Sequence, residues 1–179
     1  MFTNQKILKF LILFFCFSIF SSISQTNEDV PLNNIAINEI PKPISSLIFE
    51  DFLGNEIDLK HYHGKLVIIN FWATWCPPCK KEMPSLDRLY QDSNFKNLQV
   101  FAVNMETHNT SKTKKFFTDL NIQKLEIFFD PDLNFVKEFK LRGMPTTVLI
   151  NKNGEEFARI IGEVNFQDKK FLKWLLKYD

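Results

Sequence analysis

Apolar and polar positions divide most of the chain into short alternating elements. Residues 66–71, Leu-Val-Ile-Ile-Asn-Phe, form a β-branched run without a polar face, which predicts a strand buried on both sides. After it comes Cys76-Pro77-Pro78-Cys79 and then a polar, lysine-rich stretch at helical spacing, expected to run to about Asn94 with a bend at Pro84. The run 98–103 predicts a returning strand, and strand, helix, strand in that order implies a right-handed parallel crossover. Beyond it the pattern predicts a helix over 110–120, a short edge strand over 125–129 and a helical turn or short helix over 134–139. Apolar runs at 146–151 and 156–161 flank Asn153-Gly154, a strong hairpin signal. In 166–178 the spacing of Phe171, Leu172, Trp174, Leu175 and Tyr178 covers one sheet face with a closing helix. Upstream, Leu47-Ile48-Phe49 and 54–59 read as a hairpin feeding the domain, followed by a turn at His61-Tyr62-His63-Gly64-Lys65. The sum is an α/β fold with a central mixed sheet and helices on both faces.

The first residues follow a different rule. Lys6 and Lys9 precede the apolar run 10–20, of secretory-signal length and shorter than an ordinary membrane span. Small residues at Ser22 and Ser24 offer cleavage positions, so 1–24 is read as a signal peptide, with an uncleaved N-terminal membrane anchor as the alternative. Cys16 lies inside that run as a hydrophobe. Residues 25–44 show no sustained period and read as a linker or irregular lead-in strand, which leaves 45–179 as the folded domain.

Charge narrows the partners. The 22 basic and 21 acidic side chains give a formal net charge of +1, which argues against nucleic acid. The 20 phenylalanines fall largely in apolar runs and supply a sizeable core.

The cysteine pair carries the chemistry. At a strand-to-helix junction Cys76 takes the cap position and Pro77 the first helical position, where a missing N–H costs nothing. The helix start favours an anion, and Cys-x-x-Cys thiols so placed have pKa values lowered from about 8.5 to roughly 3.5–7.5. The thiolate is the nucleophile of disulfide exchange, so Cys76 is expected to attack and Cys79, one turn deeper, to resolve.

Three pieces of sequence carry a family resemblance: 70–79 (Asn-Phe-Trp-Ala-Thr-Trp-Cys-Pro-Pro-Cys), Glu82-Met83-Pro84, and Gly143-Met144-Pro145-Thr146-Thr147. Together they resemble the thioredoxin superfamily, and most closely its exported TlpA/ResA-like thiol-disulfide oxidoreductases. The resemblance implies a thioredoxin fold with an N-terminal extension and a cis-proline loop at Pro145. There Pro145 and the backbone of Met144 would cradle an extended substrate segment. It also implies a periplasmic or other extracytoplasmic location, protein thiols and disulfides as substrates, and a membrane electron donor. Service in cytochrome c maturation or metalloprotein assembly would follow, by a monomer without cofactor or metal. Thioredoxins proper carry a buried aspartate where this chain has Asn70, which cannot titrate. Glu82, three residues past Cys79, is the acid that the TlpA/ResA-like branch would use instead. Trp75 abuts the nucleophile and offers flat contact surface to a protein substrate, whereas Trp72 suits core or rim.

Other readings stand beside this one. Export compartments also use such a pair as an oxidant. A peroxiredoxin-like peroxidase shares the fold, and a non-enzymatic copper or zinc carrier would use Cys76 and Cys79 with His61 or His63.

Overall fold

The structure is a computed structural model that describes residues 32–44 and 46–179. The expected signal peptide or anchor at 1–24 lies outside the described residues. Among them, no helix is long and apolar enough to cross a membrane.

Among the described residues, eight strands build one sheet: β1 Ile35–Pro43, β2 Ile48–Asp51, β3 Glu56–Asp58, β4 Leu66–Trp72, β5 Leu98–Asn104, β6 Ile127–Phe129, β7 Thr146–Ile150 and β8 Glu155–Ile161. Four α-helices accompany them among the described residues: α1 Pro77–Tyr90, α2 Thr110–Asp119, α3 Asn134–Phe139 and α4 Lys169–Leu175. The strand order is β1-β8-β7-β4-β5-β6-β2-β3. β4, β5 and β6 run parallel, while β7 pairs antiparallel with β4, so the sheet is mixed. Every residue of β4 is buried. With a side-chain period of two, Leu66, Ile68 and Trp72 join the core beneath α1, α2 and α4, and Val67, Ile69 and Phe71 join the core beneath α3. Asn70 shares the first of these faces by the same alternation. The expected α/β mixed sheet with helices on both faces is the observed one.

Some elements differ from their sequence readings for local reasons. α1 stops at Tyr90 rather than near Asn94, because the Asp92 carboxylate accepts the N–H of Asn94 at 3.0 Å and turns the chain there. β6 is not an edge strand: the β2–β3 hairpin adds to its far side through Glu50 and Phe129. It also starts later than the apolar pattern suggests, since the N–H of Leu125 is taken by the Asp87 carboxylate at 2.9 Å instead of a neighbouring strand. The closing helix begins at Lys169, where Asp168 caps the N–H groups of Lys170 and Phe171. Within 25–44, Ile35–Pro43 forms an edge strand antiparallel to β8, with its register broken between Ile37 and Lys42.

Asp87, 4% exposed on α1, accepts the N–H groups of Gln123, Lys124 and Leu125 at 3.1, 2.8 and 2.9 Å. It therefore fixes the α2–β6 connection to α1. Asp87→Ala strands these donors and is expected to cost on the order of 3 kcal/mol, read as a lower urea midpoint at unchanged slope.

Candidate active site

The end of β4 delivers the chain into the cysteine pair. Cys76 is the N-cap of α1, and its sulfur accepts the N–H of Cys79 at 3.3 Å. Pro77 and Pro78 have no N–H to offer, so the donor left in the first turn beyond the cap points at Cys76. Cys76 and Cys79 form a disulfide, with Cα atoms 5.3 Å apart. Cys76 keeps 2% of its surface exposed and Cys79 none. An approaching sulfur therefore meets Cys76 first.

Glu82 is not a solvated residue of a charged helix face. It is 1% exposed, one turn past Cys79 and on the same face of α1. Asn70 donates its side-chain amide to Glu82 Oε1 at 2.7 Å, and the N–H of Val164 donates to Oε2 at 3.1 Å. Burial pushes the carboxyl up to about 7 against the pull of the Asn70 and Val164 hydrogen bonds, and the charge of nearby Glu163 adds to the rise. Asn70 also donates to Thr147 Oγ1 at 3.0 Å, while its own Oδ1 has no partner among the described residues. Asn70, which cannot titrate, thus has a task here: its amide holds the buried Glu82 carboxyl one turn past Cys79.

The peptide bond Met144-Pro145 is cis, at the entry to β7. Pro145 is buried, and its carbonyl accepts the N–H of Gly162 at 2.9 Å. Met144 packs against the core cluster that contains both cysteines. Trp75 is 64% exposed beside Cys76, whereas Trp72 is fully buried between the sheet and the rings of Phe116 and Phe117, at 4.6 and 5.3 Å. Cys76, Cys79, Glu82, Met144, Pro145 and Trp75 therefore gather at one end of the sheet. His61 and His63 do not join them. They precede β4, and the His63 ring lies over Gly154 of the β7–β8 turn, separated from the cysteines by the length of β4, roughly 20 Å. A metal site combining these histidines with the cysteine pair does not exist in this fold.

Sequence reasoning missed Glu106. It follows β5 and accepts both the N–H and the hydroxyl of Thr74, at 2.5 and 3.0 Å, two residues before Cys76. Burial opposes its ionisation, but the Lys112 ammonium, the Thr74 donors and the Asn104 amide hold its carboxyl below the ordinary range. Nothing in the local pattern around Glu106 signals this contact.

Comparison with known proteins agrees with the geometry. Residues 40–155 match the AhpC/TSA family. A thiol-disulfide oxidoreductase ResA from Bacillus thuringiensis subsp. konkukian is 34% identical over 139 residues, 78% of each chain. Another ResA, from Halalkalibacterium halodurans, is 36% identical over 110 residues, which span 62% of this chain and 61% of that protein. Among solved structures, StoA from Bacillus subtilis superposes with a TM-score of 0.61 at 26% identity, covering 73% of this chain and 97% of StoA. A DsbE-type thiol:disulfide interchange protein from Chlorobium tepidum shares the fold, with a TM-score of 0.67 at 24% identity, over 80% of this chain and 99% of that one. What the cysteine pair and its fold define is a thioredoxin-like thiol-disulfide oxidoreductase. Within that class, this chain belongs to the AhpC/TSA family and stands with its ResA-like members.

Proposed function

We propose that the protein acts outside the cytoplasm as a reductant of protein disulfides, in cytochrome c maturation or another metalloprotein assembly step. The observation that carries the reading is the buried Glu82 behind a cysteine pair whose first sulfur caps a helix. In the reduced protein the Cys76 thiolate attacks one sulfur of a substrate disulfide. The substrate S–S bond breaks, one substrate thiolate leaves, and Cys76 is joined to the other sulfur. Glu82 accepts the Cys79 proton, and the Cys79 thiolate attacks Cys76 Sγ, which expels the second substrate thiolate. The substrate gains two electrons, one of its thiolates takes up the proton that Glu82 received from Cys79 and the other takes one from solvent, and the Cys76–Cys79 disulfide forms. A membrane-held dithiol donor restores the pair by the same exchange. An acid near 7 is suited to this transfer, because neither protonation state is scarce at neutral pH.

Trp75 supplies the exposed contact surface for the partner. The Met144 backbone at Pro145 supports an extended substrate segment; among the described residues its N–H and C=O make no backbone hydrogen bond. The protein works as a monomer, delivered by the N-terminal segment as a cleaved signal or a retained anchor.

The reduction potential of the Cys76–Cys79 couple tests the direction of flux. A value near about −270 mV is expected, and one near about −120 mV would make the protein an oxidant. The peroxidase alternative expects peroxide consumption with a dithiol donor at a rate matching protein disulfide turnover. The proposed reading expects none above background.

A further inference from the structure

Glu106 is tied into a network that ends on the active-site loop. One oxygen accepts the Thr74 N–H at 2.5 Å and the Asn104 amide at 3.3 Å. The other accepts the Thr74 hydroxyl at 3.0 Å and the Lys112 ammonium at 2.5 Å. The Glu106 N–H in turn donates to Asn104 Oδ1 at 3.0 Å. Lys112 is itself placed by the start of α2, where Asn109 Oδ1 accepts its N–H at 3.0 Å. Two carboxylate oxygens thus meet four donors from three elements, a set that a neutral amide with one acceptor oxygen cannot satisfy.

Thr74 is followed directly by the exposed Trp75 and then by Cys76. Trp75, Met105, Glu106, Thr107, Asn109 and Lys112 line an open cavity of about 510 Å³ beside the cysteine pair. The clamp and the exposed ring therefore face the same space, into which the residues flanking a partner's cysteine would enter.

We propose that Glu106 is a positioning residue for disulfide exchange with proteins: by holding Thr74 it fixes the pose of Trp75 on the docking face. This rests on the reading that the chain exchanges disulfides with protein substrates. A small disulfide needs only access to Cys76, whereas a protein needs the ring held in place. Loss of the clamp should therefore separate the two kinds of substrate.

The test compares reduced parent, Glu106→Gln, Trp75→Ala and the double variant, with insulin as protein disulfide and a small aromatic disulfide as control. Glu106→Gln is expected to lower kcat/KM for insulin about tenfold and for the small disulfide less than about twofold. In the Trp75→Ala background it should add nothing further, because the clamp acts through that ring. Equal losses on both substrates, or a full additional loss in the double variant, would make Glu106 a mere loop staple and overturn the proposal. Thr74→Val keeps the backbone bond and removes only the hydroxyl bond. It should show the same bias at smaller size, and absence of that bias overturns the proposal where Glu106→Gln does not fold. A parent inert toward insulin sinks the functional reading and this inference with it. A parent active on insulin with an unbiased Glu106→Gln sinks the inference alone.

Discussion

Cys79→Ser is expected to turn the protein into a trap, with partner proteins held on Cys76 through mixed disulfides that survive to a non-reducing gel. The reason lies in the order of exposure and in the helix cap. Cys76 keeps the remaining opening to solvent, and its sulfur receives the N–H at the start of α1, so its thiolate is the one that is both reachable and stabilised. Serine at 79 leaves that nucleophile intact and removes the internal sulfur that would release the partner. Cys76→Ser removes the attacking atom, and exchange should fall to the uncatalysed background with no partner trapped. Equal trapping by the two variants would reverse the assignment. Cys79 would then have to be reached through a core in which it has no exposed surface.

Glu82→Gln should change both the pH profile of the thiols and the stability of the fold, in ways that separate its chemical role from its burial. The carboxyl sits near 7 in the folded protein because burial disfavours the charge, against an ordinary value of about 4.5 in the unfolded chain. The folded state thus binds this proton more tightly. The raised pKa favours folding fully below about pH 4.5, and that benefit is lost as pH rises through about 7. At pH 8 the buried carboxylate costs about 3 kcal/mol, which Gln does not incur.

Gln fits the site if the Asn70 amide turns over. Asn70 Oδ1 then accepts from the new amide and from the Thr147 hydroxyl, while the Asn70 Nδ2 hydrogens take the position in which Oδ1 has no partner among the described residues. The Val164 N–H keeps an acceptor oxygen. The unpaired Asn70 amide counts equally at all pH values, so the stability of the variant relative to the parent should rise by about 3 kcal/mol from pH 4 to pH 8, by urea unfolding at both values. Exchange at neutral pH should slow about 100-fold, the ordinary scale of a lost acid–base group. Alkylation of the reduced pair against pH should lose the step near 7. Superimposable alkylation profiles would leave Glu82 a buried structural acid and require the Cys79 proton to travel by water.

Local sequence determined most of the elements and the reactive pair. The unbroken apolar run of β4 has no face to give to water, so it must be central, and Cys-Pro-Pro-Cys ahead of a stretch at helical spacing marks where the helix opens, because the missing N–H of Pro77 costs nothing in the first turn. Asn153-Gly154 specified the β7–β8 turn by its left-handed glycine, at φ +80°. These are short-range effects, written in consecutive residues.

Tertiary structure decided what surrounds the sulfurs. That Glu82 is buried rather than solvated follows from the segment at Val164 folding over it, 82 residues away in sequence. That Asn70 is a partner to this acid follows from the register of β4 beneath α1. β6 lies inside the sheet because the β2–β3 hairpin pairs beyond it, and a three-residue strand carries no local mark of having two neighbours. Glu106 reaches Thr74 only because β4 and β5 pair in parallel and end side by side, at Trp72 and Asn104. A carboxylate in a loop looks the same in sequence whether it meets water or a backbone N–H. Its role is set by the chain brought against it.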